Sequence, residues 1–214
     1  MHEQEGVIKY QLKHTHAVLT NDLPLAEINA WRSILYKLHL IGQDPCRYGG
    51  LGYGNLSQRI NPASQQFIIS GTQTGHLEHL TRHDYCVITR ASPENNTIDA
   101  LGECQPSSEA LTHASVYAQY ASIQAVIHVH SPEIWRQTQA LNLAHTAATI
   151  PYGTPEMAEA VARLLQDPLT KQSALFTMLG HEDGVISFGN SLAEAGRVLI
   201  NVLVRALMIA SPLA

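Results

Sequence analysis

The hydrophobic and polar positions along the chain switch several times between a helical and a strand period. From Pro24 to about Ile41, apolar side chains recur at the spacing of one helix face, at Ile28, Trp31, Ile34, Leu35 and Leu38. Asp22-Leu23-Pro24 opens this stretch, and proline is well tolerated at a helix start. The pattern therefore predicts a first long helix.

Further helices are predicted from start signals and apolar spacing. The serines before Glu109 suit N-cap positions, and an alanine-rich helix follows to about Tyr120. Pro132 begins another helix, and Pro155 lies at the start of a helix over residues 154–165. Residues 191–210 carry the pattern of a long amphipathic final helix.

Short apolar segments bounded by turn residues predict β-strands, at residues 67–70, 85–89, 97–101, 125–130, 175–179 and 185–188. Gly49–Gly54 interrupts any regular element, and Gly71–Gly75 is a turn-rich loop. Some strand pairs are joined too tightly for a parallel crossover. We therefore predict a mixed or largely antiparallel sheet with helices on both faces.

The bulk composition fits one large domain. The chain has 214 residues, of which 45% are hydrophobic and 14% are charged, and its mean hydropathy is -0.06. This balance is typical of a soluble globular protein that can bury a substantial core. Residues 1–22 show only weak periodicity and are predicted to form a short helix or a loose N-terminal arm before a domain over residues 23–214.

Charge, hydropathy and cysteine usage exclude several classes of partner. The net charge is -5 with only 13 Lys plus Arg, and no basic run occurs, so we expect neither nucleic acid nor a membrane surface as a partner. No apolar stretch has the length of a signal peptide or a membrane span. Three cysteines at wide spacing argue against a disulfide framework and favour a cytoplasmic location.

His128-Val129-His130 is the first candidate for chemistry. Residues i and i+2 of a strand point to the same face, so both imidazoles can reach one ion. Neutral imidazole is a good ligand for zinc and similar divalent metals. The alternative is a pair of half-exposed strand histidines without a ligand.

Pro106-Ser107-Ser108-Glu109 is the second candidate, at a predicted helix start. The free N–H groups and the positive dipole end of a helix N-terminus suit an anion, and the serine hydroxyls add donors. The alternative is that Glu109 is an ordinary capping glutamate.

Two glycine-rich turns and one polar turn are the remaining candidate segments for a functional site. Gly49–Gly54 with Asn55, and Thr72-Gln73-Thr74-Gly75, could cradle an anion or be plain turns, and neither matches a phosphate-binding P-loop. Gly180–Gly184 carries His181, which could close a three-histidine site. A turn rich in Asp and Gly also needs no function to explain it.

Taken in order, these segments resemble the class II aldolase/adducin family over about residues 25–208. The resemblance is carried by motifs in the family's sequence order: Gly54-Asn55-Leu56-Ser57, Thr72-Gln73-Thr74-Gly75, Pro106-Ser107-Ser108-Glu109 with His113 and Tyr117, His128-Val129-His130, Gly153-Thr154-Pro155-Glu156-Met157-Ala158 and Gly184-Val185-Ile186-Ser187-Phe188-Gly189. Single motifs are loose, but the ordered set is specific.

The resemblance implies a three-layer α/β/α domain around a mixed, mostly antiparallel sheet, usually assembled as a homotetramer. It also implies a divalent metal, commonly zinc, held by His128, His130 and a third histidine, with Glu109 moving the proton as a C–C bond breaks or forms. The metal would act as a Lewis acid towards a ketose-like substrate through a metal-bound enediolate. The substrate's phosphate would be held by Asn55, Thr74, Gly75, Ser107 and Ser108.

The chain departs from the family pattern in three places. Where family members often carry Gly-Thr-Ser-Gly-Asn, this chain has Gly52-Tyr53-Gly54-Asn55 and lacks the threonine. The stretch from His130 to Pro151 is short and offers no tyrosine as a general acid. The third ligand usually precedes a glycine directly, a position that Asp183 occupies. We favour His181, because an imidazole matches the other two ligands, and Asp183 is the alternative.

The sequence therefore predicts a metal-dependent lyase that cleaves or forms a C–C bond of a small ketose, with a sugar phosphate as the expected substrate. Epimerase, dehydratase or decarboxylase chemistry on the same fold is the alternative within enzymes. A non-catalytic, adducin-like interaction module or a metal-binding regulatory protein is the alternative outside them.

Overall fold

A computed structural model describes residues 6–20 and 22–211. Within these residues the central element is a nine-stranded sheet in the order β1-β7-β6-β5-β4-β8-β11-β10-β9, and β2 and β3 form a separate hairpin. The strands are β1 Gln11–His16, β2 Gly42–Gln43, β3 Gly52–Tyr53, β4 Asn55–Arg59, β5 Phe67–Ser70, β6 Tyr85–Ser92, β7 Thr97–Gly102, β8 Ala125–His130, β9 Ala144–Thr146, β10 Leu175–Met178 and β11 Gly184–Gly189.

Antiparallel pairing runs through the middle of the sheet, from β7 across to β10, and only the outermost strands β1 and β9 pair in parallel. The prediction of a mixed, mostly antiparallel sheet is confirmed. The tight connections that excluded parallel crossovers join neighbouring antiparallel strands, such as β6 to β7.

Helices cover both faces of the sheet and make three layers. The helices are α1 Leu25–Lys37, α2 Ala110–Gln119, α3 Pro132–Arg136, α4 Pro155–Gln166, α5 Pro168–Ser173 and α6 Leu192–Ala210. One core cluster joins α1, α3 and α6 to the sheet through residues such as Leu35, Ile127 and Leu199. The other core cluster joins α2 and α4 to the opposite face, through residues such as Val126 and Val161. None of the helices in the described ranges combines the length and apolarity that a membrane crossing needs.

Most predicted helices and strands are present within a few residues of their predicted bounds, and the strand at 125–130 has the predicted bounds. The first helix ends at Lys37 and not near Ile41, because His39 takes a left-handed conformation with φ of 56° and interrupts the helical backbone.

The prediction of a helix or loose arm is wrong for residues 11–16. They form β1, which pairs in parallel with β7 along its whole length, so this part of the N-terminal segment belongs to the same sheet as the rest. β1 is an edge strand whose side chains are mostly exposed, and its apolar pattern is therefore weak. The first five residues of the predicted arm and the last three of the predicted domain lie outside the described residues.

Strand β4 was not predicted, because its sequence NLSQR is polar, yet it lies in the middle of the sheet. The buried side chains of Ser57 and Arg59 have hydrogen-bond partners in other elements. The hydroxyl of Ser57 lies 2.7 Å from Nδ1 of His113 and 2.9 Å from the hydroxyl of Tyr117, and Arg59 Nε donates to the carbonyl of Ile123 at 2.8 Å. A polar strand is stable in a core when such partners are present.

The pairing register collects the candidate segments at one end of the sheet. Because β5, β4, β8 and β11 are successive antiparallel neighbours, the end of β5 and the start of β4 lie beside the end of β8 and the start of β11. The turn after β5, the segment before α2 and the loop before β11 all lie at that end. The fold thus brings together segments that are far apart in the sequence.

Arg32 on α1 anchors one of these segments. Its side chain is fully buried, and Nη2 donates to the carbonyls of Thr74 and Leu77 at 2.7 and 2.6 Å. We expect Arg32→Met to lower the free energy of unfolding by about 1–3 kcal/mol, because both buried carbonyls lose their charged donor. Urea unfolding measures this change. Arg90→Met, on the exposed part of β6, should change the free energy by less than about 0.5 kcal/mol. Equal effects of the two substitutions would contradict an anchoring role.

Candidate metal centre

His128 and His130 lie at the end of β8, on the face that the i and i+2 spacing predicts they share. Both side chains are buried. β8 pairs with β4 along one edge, which places Asn55 opposite His128. It pairs with β11 along the other edge, which places Gly184 opposite His130. The interpretation of this pair as half-exposed strand histidines is therefore wrong.

His181, in the loop between β10 and β11, completes a group of three buried imidazoles. Its ring centroid lies 5.3 Å from that of His128 and 4.8 Å from that of His130, and the latter two centroids are 5.0 Å apart. One ligand atom from each ring lies within 4.8 Å of the other two. No other group of three or more His, Cys, Asp or Glu residues has this separation in the part of the chain that the structure describes.

The hydrogen bonding of His128 leaves a ring nitrogen available for a metal. Nδ1 lies 3.3 Å from the carbonyl of Val185, and a carbonyl can only accept, so Nδ1 carries the proton. Nε2 is then the unprotonated nitrogen, and it is buried with no hydrogen-bond partner among the described residues. A buried lone pair without a donor fits a metal ligand, whose other nitrogen typically donates to a carbonyl.

The protonation states also fit a metal site. Burial first, and then the neighbouring imidazole of His181, lowers the pKa of His128 and of His130 well below the usual value. Both rings are therefore neutral at pH 7, the form in which imidazole binds metal ions. A donor set of three imidazoles suits zinc and related divalent cations.

Glu109 lies beside this group, at the residue just before α2. Its carboxylate is buried, and Oε1 is 3.9 Å from Nε2 of His181. The side chain makes no cap hydrogen bond, and the backbone N–H of Glu109 donates to Oγ of Ser107 at 3.2 Å. The interpretation of Glu109 as a capping residue is therefore wrong, because Ser107 accepts at the helix start while Glu109 faces the histidines.

Main-chain contacts join the turn after β5 to the segment that carries Ser107 and Ser108. Gly71 forms a bridge with Pro106, and the N–H of Thr72 donates to the carbonyl of Gln105 at 3.0 Å. Both serine side chains are buried. The two predicted substrate segments are therefore neighbours at the end of the sheet that also carries His128 and His130.

The remaining predicted substrate residues are Asn55, Thr74 and Gly75, of which Thr74 and Gly75 have local structural roles. Asn55 is buried at the start of β4, and its Oδ1 has no hydrogen-bond partner among the residues described. Thr74 Oγ1 donates to the carbonyl of Gly71 at 3.0 Å, which stabilises the turn. A Cβ at Gly75 would lie 2.1 Å from the carbonyl oxygen of Gly42, so this position accepts only glycine for packing reasons alone. Their contact with a substrate stays a prediction.

Asp183, the alternative third ligand, is engaged elsewhere. Its Oδ2 accepts a hydrogen bond from the hydroxyl of Tyr48 at 2.7 Å and lies 3.7 Å from Nη2 of Arg47. It is not a member of the three-residue group that His128, His130 and His181 form. The geometry therefore favours His181.

Three tyrosines surround the histidines and were not predicted as part of the site. The ring centroids of Tyr48 and Tyr53 lie 4.5 and 5.4 Å from that of His130, and the ring of Tyr152 lies 4.6 Å from that of His181. Each of the three is next to a glycine in the sequence, a pattern that predicts a turn but does not predict which site the turn faces. The stretch from His130 to Pro151 contains no tyrosine, and the three tyrosines beside the histidines come from other segments of the chain.

His113 and Tyr117 extend from α2 towards the same region. His113 is fully buried, and burial lowers its pKa to about 3. Its Nδ1 contacts the hydroxyl of Ser57, which also contacts Tyr117. These contacts tie α2, and with it Glu109, to the central strand β4.

Fold and site together define a mixed α/β domain with three buried imidazoles and a glutamate at one end of its sheet. Residues 47–209 match the family described as Class II Aldolase and Adducin N-terminal domain, and the chain belongs to this family. The resemblance found in the sequence is confirmed. A comparison with curated protein sequences gives no match.

Solved structures of similar fold come from several bacteria. YgbL of Klebsiella pneumoniae, described as a candidate aldolase, epimerase or decarboxylase, is 19% identical with a TM-score of 0.66, over 90% of this chain and 91% of that chain. L-fuculose-1-phosphate aldolase of Thermus thermophilus is 18% identical with a TM-score of 0.62, over 87% and 92% of the two chains. At these identities the comparisons show the shared fold.

We expect the chelator-treated protein to rebind about one zinc or cobalt ion per chain. His128→Ala and His181→Ala should each remove binding at micromolar metal, because two imidazoles make a much weaker site than three. His16→Ala, on the exposed edge strand, should bind as the unchanged protein does. Calorimetric titration measures all four proteins. Retained stoichiometric binding in His181→Ala would exclude His181 as the third ligand.

The buried histidines make the metal-free protein sensitive to acid. The unfolded chain protonates its imidazoles near pH 6.5, whereas the folded chain keeps His113, His128 and His130 neutral to lower pH. Below pH 6.5 the unfolded state therefore binds more protons than the folded state. The free energy of unfolding then decreases as the pH is lowered, by up to about 1.4 kcal/mol per pH unit for each histidine. Urea unfolding between pH 7 and pH 5 measures this slope. His113→Asn should reduce this slope. An unchanged slope would contradict the conclusion that His113 has a lowered pKa in the folded protein.

Proposed function

We propose that the protein is a metal-dependent lyase of the aldolase type, which cleaves or forms a C–C bond of a small ketose. One observation carries the proposal: three buried imidazoles lie within 4.8 Å of one another, beside a buried carboxylate. Family membership supports the same assignment. Three buried imidazoles with a carboxylate beside them concentrate titratable and ligating groups in one place, which is typical of functional sites and supports the proposal.

His128, His130 and His181 would hold the cation, and zinc is the cation that we propose. Three protein ligands leave a coordination position for substrate, as in catalytic zinc sites. When bound, such a cation polarises a carbonyl oxygen and stabilises the negative charge that develops there.

Glu109 would be the proton carrier. Its carboxylate is buried beside His181, where a substrate held at the histidines is within its reach. In the condensation direction, a carboxylate oxygen of Glu109 takes the proton from the substrate carbon next to the carbonyl. In the cleavage direction it returns that proton. Exclusion of water at this buried position favours transfer to the substrate carbon over exchange with solvent.

Asn55, Thr74, Gly75, Ser107 and Ser108 would bind the far end of the substrate, which we propose is a phosphate. The contacts between the turn after β5 and the segment before α2 support this, because they bring the residues to one place. The start of α2 adds the positive end of a helix dipole, which favours an anion. L-fuculose-1-phosphate aldolase of Thermus thermophilus, one of the solved structures of similar fold, is named for a phosphorylated sugar and agrees with this choice.

We also propose a homotetramer and a cytoplasmic location. Large apolar side chains near the end of α6 are exposed, namely Val204, Leu207, Met208 and Ile209. The buried stripe of the same helix serves the intrachain core, so these exposed residues form a second apolar surface. A surface of this kind supports an assembly of subunits.

Glu109→Gln tests the proposal directly. The zinc-loaded protein should cleave at least one member of a panel of ketose phosphates, and Glu109→Gln should lower kcat/KM by about 100-fold or more, because acid–base catalysis by a placed side chain contributes at least that much. Bound zinc should be unchanged in the variant. The matched control Glu159→Gln, on the exposed face of α4, should retain full activity.

The same panel separates the competing assignments. Zinc binding with inertness towards every ketose phosphate would contradict the lyase and favour a metal-binding regulatory protein. Turnover without C–C cleavage would favour an epimerase or a dehydratase, and release of carbon dioxide would favour a decarboxylase. Absence of both metal binding and turnover would favour an adducin-like interaction module.

A further inference from the structure

Two segments in which the chain departs from the family pattern contact each other beside the histidines. Tyr48 lies in the glycine-rich loop that leads to Gly52-Tyr53-Gly54-Asn55, and Asp183 occupies the position directly before Gly184. The hydroxyl of Tyr48 donates to Oδ2 of Asp183 at 2.7 Å across 135 positions of sequence. The two segments that differ from the family pattern are therefore joined by a hydrogen bond between Tyr48 and Asp183.

Both residues have a backbone conformation that ordinary side chains avoid. Tyr48 has φ of 49° and Asp183 has φ of 60°, in the left-handed region. Most side chains disfavour this region, although aspartate enters it more readily than tyrosine does. Such conformations persist where surrounding contacts fix them, and they are concentrated at functional sites.

Asp183 lies between the backbones of the two histidine segments. Its carbonyl accepts from the N–H of Ser131, the residue after His130, at 2.8 Å. The N–H of Gly184, the next residue, donates to the carbonyl of His181 at 2.9 Å. Any movement of Asp183 therefore moves the chain beside both His130 and His181.

Tyr48 and Arg47 fix the side chain of Asp183. Arg47 Nη2 contacts the hydroxyl of Tyr48 and lies 3.7 Å from Oδ2 of Asp183, so the carboxylate that accepts from Tyr48 also has a positive charge beside it. Burial and the carboxylate of Asp183 raise the pKa of Tyr48, which keeps its hydroxyl protonated as a donor. The Tyr48 ring packs edge-on against the ring of His130, with centroids 4.5 Å apart.

We propose that Arg47, Tyr48 and Asp183 form a positioning clasp that holds His130 and His181 in their metal-binding arrangement. Asp183 acts through this clasp and is not itself a ligand. The inference rests on the proposed metal site. A ligand set that is held rigidly before the cation arrives binds more tightly, because less conformational freedom is lost on binding.

The test separates the backbone conformation of Asp183 from its side chain. Glycine and asparagine both tolerate φ of 60°, but only asparagine keeps an oxygen that can accept from Tyr48. Asp183→Gly, Asp183→Asn and Tyr48→Phe are therefore compared with the unchanged protein. Tyr120→Phe is the matched control, because it also removes one tyrosine hydroxyl, which donates to the carbonyl of Leu165 at 2.9 Å.

The measurements are zinc affinity, by competition with a chromophoric chelator, and the visible absorption spectrum of the cobalt-substituted protein. Removing partners that orient metal ligands typically costs about 10- to 100-fold in metal affinity. We expect a loss of this size in Asp183→Gly and in Tyr48→Phe, with an altered cobalt spectrum in both. Asp183→Asn should lose less than about tenfold, and Tyr120→Phe should match the unchanged protein. The double variant Tyr48→Phe, Asp183→Gly should bind no more weakly than Asp183→Gly, since both changes remove one interaction.

Thermal unfolding of the chelated proteins gives the temperature range in which each variant is folded, and affinities are compared within that range. Strong loss of zinc in Asp183→Asn together with unchanged affinity in Tyr48→Phe would overturn the clasp and make Asp183 a ligand. Unchanged affinity in all variants would also overturn it. Failure of the unchanged protein to bind zinc or cobalt would contradict the proposed function, and the clasp with it.

Discussion

Strand β8 is hydrogen-bonded to β4 on one side and to β11 on the other, and the candidate site depends on this pairing. The register sets Asn55 opposite His128 and Gly184 opposite His130. A slip of one residue would turn both histidines to the face that packs against α1, α3 and α6, because strand side chains alternate. The same pairing brings the turn after β5, the start of α2 and the His181 loop to one end of the sheet.

Many polar side chains are buried at the end of the sheet that carries His128 and His130. Hydrogen bonds between them reduce the cost of this burial. His113 and Tyr117 are bound to Ser57, His128 is bound to the carbonyl of Val185, and Asp183 is bound to Tyr48. Burial keeps the imidazoles neutral, which avoids isolated positive charge in a medium of low polarity. What remains is a cluster of nitrogen lone pairs and a carboxylate, a set that a divalent cation stabilises.

Much of the architecture could be predicted from the sequence, because its signals are local. The apolar run of β8 and the His128-Val129-His130 spacing fix both the strand and the shared face of the histidines. β1 and β4 could not be predicted, since one is an exposed edge strand and the other is a polar strand whose partners come from α2 and from distant loops. His181 was selected on ligand chemistry alone. The contact between Tyr48 and Asp183 spans 135 positions, and spacing carries no signal at that distance.

The proposed chemistry depends on the binding of one metal ion by His128, His130 and His181. Anomalous diffraction from zinc-soaked crystals, recorded on both sides of the zinc absorption edge, locates such an ion. We expect one strong peak per chain, about 2.0–2.1 Å from a nitrogen of each of the three rings. A zinc peak bound instead by Asp183, or no peak near His128 in crystals that take up zinc elsewhere, would show that the three histidines are not the metal site.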